Sequence, residues 1–147
     1  MMDILNEEIM AVNLPGTTKE EAIDILANLL KEKDYIRDVT LFKKDIYHRE
    51  SLGKTGIGNY IAIPHGQSES VLKNGIAIGK FSSEIPWETL DGKGVKIVCL
   101  FCVQAGDGRG NEHLKMLATL AGKLGNEEVV NNILKAQTTK ELMKAFS

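Results

Sequence analysis

The chain has 147 residues, of which 43% are hydrophobic and 26% charged, with 18 basic against 20 acidic side chains. A net charge of −2 argues against a nucleic-acid partner, because such surfaces are strongly basic. No apolar run reaches the roughly 20 residues of a membrane span, and the acidic amino terminus lacks a signal-peptide pattern, so the chain reads as soluble and cytoplasmic. At this length about 70% of the unfolded surface can be buried, which predicts one domain over residues 1–147.

Taken in order, residues 4–14 carry scattered apolar side chains (Ile9, Val12, Leu14) and predict a first strand. Thr18-Lys-Glu-Glu21 fits a capping box, and Ala22, Ile25, Leu26, Leu29 and Leu30 continue it as a helix to about Lys33. Asp38 caps a second helix with Val39, Phe42 and Ile46 inward, running out near His48-Arg49-Glu50. Polar residues 51–55 connect it to Gly56-Ile-Gly58, and Tyr60 to Ile63 reads as a short strand stopped by Pro64. Residues 67–72 predict at most one helical turn. Ile76 to Phe81 alternates as a strand, an irregular stretch starts at Ile85-Pro86-Trp87, and Asp91-Gly92 is a turn.

Val95 to Val103 is the longest apolar run and the best candidate for a central strand. Beyond the glycine-rich loop 106–110, Asn111 caps a helix with Leu114, Leu117, Leu120, Ala121 and Leu124 inward, ended by Gly125. Two short helices, 127–136 and 139–146, complete an α/β layered pattern whose strand order is not readable. Cys99 and Cys102 are three apart in a strand, so they face opposite sides and read as core thiols, not a zinc pair.

The chemistry centres on Ala62-Ile-Pro-His-Gly66. Pro64 stiffens the backbone and Gly66 permits a close approach, which should display the His65 imidazole at the carboxyl end of a strand. With an ordinary pKa near 6.5, about three quarters of such imidazoles are neutral at pH 7 and able to attack an electrophile. A satisfied structural histidine fits the same position. His113, in a helix's first turn, could bind a group held at His65 or orient its ring, or simply be solvated. Arg49 offers a planar cationic fork suited to a phosphoryl group, although helix-end arginines often only complement the dipole. His48, beside Arg49, reads as surface. The glycines lack the dinucleotide spacing, no Walker lysine is present, and the histidines lack metal-ligand spacing.

Arg49-Glu50-Ser-Leu-Gly53, Thr55-Gly-Ile-Gly58, Ala62-Ile-Pro-His-Gly66, Ile76-Ala-Ile-Gly79, Trp87, Asp91-Gly92 and Glu112-His-Leu-Lys-Met-Leu117 together resemble the fructose/mannitol family of enzyme IIA proteins of the bacterial phosphotransferase system. The likeness covers essentially the whole chain. It implies a mixed β-sheet flanked by helices on both faces. It implies that His65 accepts a phosphoryl group from phospho-HPr as a tele-phosphohistidine and passes it to a cysteine of enzyme IIB. The membrane sugar permease component is then an indirect partner; because the sequence stops after the IIA-like region, IIB and the permease are expected on separate polypeptides. His113 and Arg49 match the family's second histidine and its arginine near the phosphate, and no metal or organic cofactor is implied. Related nitrogen-type members use the same histidine as a regulatory switch. Lys54 and the bulky Asn59-Tyr60 depart from the family's common pattern.

Overall fold

The computed structural model describes residues 5–106 and 110–147, those from 110 to 113 by their backbone alone. A 3-10 turn at Glu7–Ile9 leads into β1 (Met10–Leu14), then α1 (Lys19–Glu32) and α2 (Val39–Glu50). Three short strands follow, β2 (Gly56–Gly58), β3 (Ile61–Ala62) and β4 (His65–Ser68), then the long β5 (Gly75–Ile85) and β6 (Val95–Gln104). The chain ends in α3 (Gly110–Leu124), α4 (Glu127–Lys135) and α5 (Thr139–Phe146).

The sheet order is β1-β5-β6-β3-β2, with β4 also on β6. β5 and β6 are antiparallel, as are β2 and β3, whereas β1 on β5 and β3 and β4 on β6 are parallel. The sheet is therefore mixed, and β6, buried along nearly all its length, lies at its centre as its apolar run predicts.

Alternation along the strands divides the core in two. One layer joins α1 and α2 (Ala22, Ile23, Leu26, Leu30, Phe42, Ile46) to Ala62, Ala77, Val98, Leu100 and Cys102. The other joins α3, α4 and α5 (Met116, Leu120, Val130, Ile133, Leu142, Phe146) to Ile61, Ile76, Ile78, Ile97, Cys99 and Phe101. Helices thus cover both faces, and the two cysteines fall on opposite sides, as their spacing predicts. Burial pushes both thiols up to about 12.

The helix caps follow the sequence with one shift. Thr18 Oγ1 accepts from Glu21 N at 3.1 Å, but the Glu21 carboxylate reaches past Thr18 to the amide and hydroxyl of Thr17, at 2.8 and 3.0 Å. Asp38 Oδ1 accepts from Leu41 N at 3.0 Å and starts α2.

Five expectations differ from the structure. The run from Tyr60 to Ile63 pairs only at Ile61–Ala62. Asn59 and Tyr60 are instead the central residues of a two-residue hairpin turn, with φ of 55° and 67°, the left-handed pair that a primed turn needs. Tyr60 is an unusual occupant there. It is held by Lys93 and Lys96 ammonium groups 5.5 and 4.9 Å from its ring, while Asp91 accepts from Asn59 N at 3.1 Å.

Residues 67–68 extend β4 instead of starting a helical turn, because the edge of β6 at Val103 and Gln104 continues to offer partners. β5 runs on past Phe81 to Ile85 across a register shift. In α3 the buried stripe is Met116, Leu120 and Leu124, with Leu117 half-buried. Leu114 is 63% exposed and Ala121 is exposed too, because Leu114 lies about 200° round the helix from Met116. The helix also begins at Gly110, one residue before the expected cap.

Candidate functional site

His65 opens β4; it does not close the preceding strand. Ile61 and Ala62 pair with Ile97 and Val98, and His65 to Ser68 pair with Phe101 to Gln104 in the same register. β3 and β4 are therefore one strand broken at Ile63-Pro64. Pro64 has no N–H to give the ladder, yet its carbonyl accepts from Phe101 N at 2.9 Å, so the register survives the break. The imidazole sits at this rigid interruption.

Packing fixes the ring on both sides of the backbone. His65 lies 5.2 Å from the Phe101 ring, tilted by 45°, on the layer covered by α3 to α5. The residue is half-buried and its Nδ1 is buried. On the opposite side Gly66 lies against Phe42 of α2. A Cβ there would meet the Phe42 ring at 2.5 Å and the Phe101 carbonyl oxygen at 2.8 Å, so only glycine lets the helix approach so closely.

Arg49 arrives from that helix. Arg37 N, just ahead of α2, bonds the Ser70 carbonyl at 2.9 Å, and Phe42 meets Gly66. The helix therefore runs antiparallel to β4, and its last turn reaches the region of the Ile63-Pro64 break. Arg49 is half-buried and its Nη1 is 3.5 Å from the Gly53 carbonyl. His48 is exposed, consistent with a surface role. The backbone of His113 is in the first turn of α3, and its side chain lies outside the described residues. The fold thus sets Arg49 and His65 on directly packed elements and turns His48 away.

A polar cluster that the sequence does not announce ties these elements together. Glu50, next to Arg49, pairs with Lys19 of α1 at 2.7 Å, and Lys19 also reaches Glu88 at 2.8 Å. The Thr55 hydroxyl sits 2.9 and 2.7 Å from the two Glu50 carboxylate oxygens and accepts from Trp87 Nε1 at 3.3 Å. The Lys19 ammonium also stands 5.0 Å from the centre of the Trp87 ring. Burial alone would lower the Lys19 pKa, but hydrogen bonds to Glu50 and Glu88 outweigh it and raise it. The bond from Lys19 in turn lowers Glu88. The partners are 5 to 69 residues apart in sequence, so no local pattern marks them.

Comparison with known proteins agrees with this architecture. The family model described as "Phosphoenolpyruvate-dependent sugar phosphotransferase system, EIIA 2" matches residues 3–147. The mannitol-specific phosphotransferase enzyme IIA component of Halalkalibacterium halodurans is 33% identical over 95% of this chain and 92% of its own length. The fructose-specific EIIABC component of Bacillus subtilis is also 33% identical over 92% of the chain, but the chain spans only 21% of that protein. Among solved structures, nitrogen regulatory protein IIA-Ntr of Neisseria meningitidis superposes with a TM-score of 0.86 at 24% identity, covering 99% of this chain and 97% of that one. IIA mannitol of Escherichia coli gives 0.81 at 23% identity, covering 97% and 99%. Those two likenesses speak to the fold, and the sequence matches to the family. The chain belongs to the EIIA 2 family of the phosphoenolpyruvate-dependent sugar phosphotransferase system.

Proposed function

We propose that residues 1–147 form a cytoplasmic phosphocarrier domain of a sugar-uptake phosphotransferase system, with His65 as the group that carries the phosphoryl. The observation that carries this reading is the mounting of His65 at the Pro64 break, with its ring packed on Phe101 and Nδ1 buried; transfer through Nε2 is what the family resemblance implies. Phospho-HPr is the donor. The Nε2 lone pair attacks phosphorus in line, the donor's N–P bond breaks, and the donor histidine keeps the electron pair. In the second step a thiolate of enzyme IIB attacks the same phosphorus and the His65 N–P bond breaks. A solved complex of enzyme IIA mannitol with phosphorylated enzyme IIB mannitol from Escherichia coli supports the acceptor's identity by analogy.

Arg49 and His113 stabilise the charge on the three equatorial oxygens, which is most of what phosphoryl transfer asks of a protein. The phosphoryl must be held loosely enough to leave, because ground-state stabilisation of phospho-His65 slows the second step. No metal or organic cofactor takes part. Exposed Leu52, in the connector before β2, and exposed Leu90, in the β5–β6 connection that bonds Gly56 of β2, give partners an apolar surface for brief encounters.

The test is intact mass after incubation with phosphoenolpyruvate, enzyme I and HPr. Wild type gains one acid-labile phosphoryl group, His65→Ala gains none, and His113→Ala and Arg49→Ala gain it slowly. A labelled His65→Ala protein overturns the assignment. A second reading, a nitrogen-type regulator, is favoured by one finding: the nitrogen regulatory protein of Pseudomonas aeruginosa is 30% identical over 89% of this chain. Transfer onward to a IIB cysteine separates the two.

A further inference from the structure

We propose that Thr55 is a positioning residue for phosphoryl transfer, holding Arg49 and His65 in register through one buried junction. The inference rests on the phosphocarrier reading and deepens it. Thr55 is 2% exposed and works in two directions. Its hydroxyl clamps the Glu50 carboxylate at 2.7 and 2.9 Å, fixing the last turn of α2 one residue beyond Arg49. Its carbonyl accepts from Ile63 N at 2.9 Å, fixing the broken strand two residues before His65. A single residue therefore sets the spacing between the cationic fork and the nucleophile.

Other bonds keep that junction from sliding. Trp87 Nε1 donates to the Thr55 oxygen at 3.3 Å. Gly56 N donates to the Glu88 carbonyl at 3.2 Å, and Leu90 N to the Gly56 carbonyl at 3.1 Å. A Cβ on Gly56 would lie 2.6 Å from the Glu88 carbonyl oxygen, so the segment around Thr55 is clamped at backbone contact. Glu50 is also electrostatically engaged. Its side chain is 6% exposed and paired with Lys19 at 2.7 Å, which draws the carboxylate away from service as a counter-ion for its neighbour Arg49. The guanidinium is left with only a 3.5 Å contact to the Gly53 carbonyl among the hydrogen bonds of the described residues, and so can turn to a phosphoryl oxygen.

Thr55→Val keeps the shape and removes the hydroxyl, which unpairs Trp87 Nε1 and loosens Glu50. Misplacement of a reacting group by about 1 Å costs up to about 100-fold in rate. The expected result for this partial loosening is a fall of about tenfold in kcat for transfer from phospho-HPr, with KM for phospho-HPr unchanged. Thr55→Ser restores the hydroxyl and is expected to return kcat to within about twofold of wild type. Glu50→Gln, which removes the ion pair to Lys19 and weakens the bond from the Thr55 hydroxyl, and so loosens the junction, is expected to lower kcat about threefold.

Rates are normalised to the folded fraction measured by circular dichroism. A wild-type kcat in folded Thr55→Val, even with a lowered melting temperature, makes Thr55 merely structural and overturns the inference alone. If Thr55→Val does not fold, an unchanged kcat in Glu50→Gln overturns it. A wild-type protein that takes no phosphoryl group overturns the phosphocarrier reading itself, and the inference with it.

Discussion

The two faces of the sheet are built on different principles. The face covered by α3, α4 and α5 is almost wholly apolar, from Met10 and Ile61 through Phe101 to Phe146. Its main polar tether is Lys80 Nζ, which donates to the Leu134 and Ala136 carbonyls at 2.6 and 2.5 Å and fixes the end of α4. The face covered by α1 and α2 holds an apolar core of similar residues, but a polar seam of Lys19, Glu50, Thr55 and Trp87 runs along one side of it. Hydrophobic burial is non-directional and makes a layer without fixing any atom to a fraction of an ångström. A satisfied polar network fixes angles and distances. The α3–α5 face thus packs the His65 ring against Phe101 through apolar contact, whereas the α1/α2 face adds directional bonds around Glu50 and Thr55 to its packing.

The two layers can be truncated at matched positions. Phe42 and Phe146 are both fully buried, one in each layer, and Phe→Ala in a core costs about 3–5 kcal/mol. Urea unfolding should therefore report losses of that size for Phe42→Ala and Phe146→Ala alike. Transfer from phospho-HPr, normalised to the folded fraction, should fall only in Phe42→Ala, because the Phe42 ring is what seats Gly66 beside His65. Equal transfer rates in the two variants would erase the functional distinction between the faces.

Gly66→Ala is the next largest effect. Its Cβ would overlap the Phe42 ring and the Phe101 carbonyl, and overpacking of this kind costs about 1–3 kcal/mol. The ring can move at some cost, but the carbonyl belongs to the central strand, so the strain must pass into β4. The expected outcome is a lower unfolding midpoint with slower transfer. Gly53→Ala is the control: a Cβ there meets only Arg49 Nη1, at 4.0 Å. Near-wild-type behaviour of Gly66→Ala would mean that the close approach of α2 is not required.

Much of this was legible in the sequence wherever a single element decides the outcome. The apolar run from Val95 predicts the central strand, Thr18 and Asp38 predict helix starts, and the spacing of Cys99 and Cys102 predicts opposite faces. Pro64-His65-Gly66 marks the proposed site, since proline and glycine flanking one imidazole leave a local trace. What the sequence did not disclose depends on tertiary choice. The stripe of α3 could be phased on Leu114 or on Met116, and only docking on the sheet selects the latter. Pro64 reads as a strand end, yet β6 supplies an edge on which the strand resumes. Thr55 sits in a polar connector whose composition says nothing of Trp87, 32 residues later.

A subtler difference is expected when the same substitution is made on each face. Cys99 and Cys102 are both fully buried, and thiol to hydroxyl is nearly isosteric. Cys102 Sγ already donates to the Lys73 carbonyl at 3.7 Å, so a serine there inherits an acceptor. Cys99 lies in the apolar layer with Ile61, Ile97 and Phe101, where a serine hydroxyl has no comparable side-chain or loop partner among the described residues. A buried hydroxyl without a hydrogen bond costs about 1–3 kcal/mol. Cys99→Ser should therefore lower the free energy of unfolding by about that amount, and Cys102→Ser by a few tenths of a kcal/mol, since a neutral hydrogen bond roughly offsets the desolvation. Equal losses would mean that the polar character of the α1/α2 face is confined to the seam around Thr55. Unequal losses in the stated order would mean that it extends across the sheet to the far end of β6, where the carbonyl of Lys73 meets the central strand.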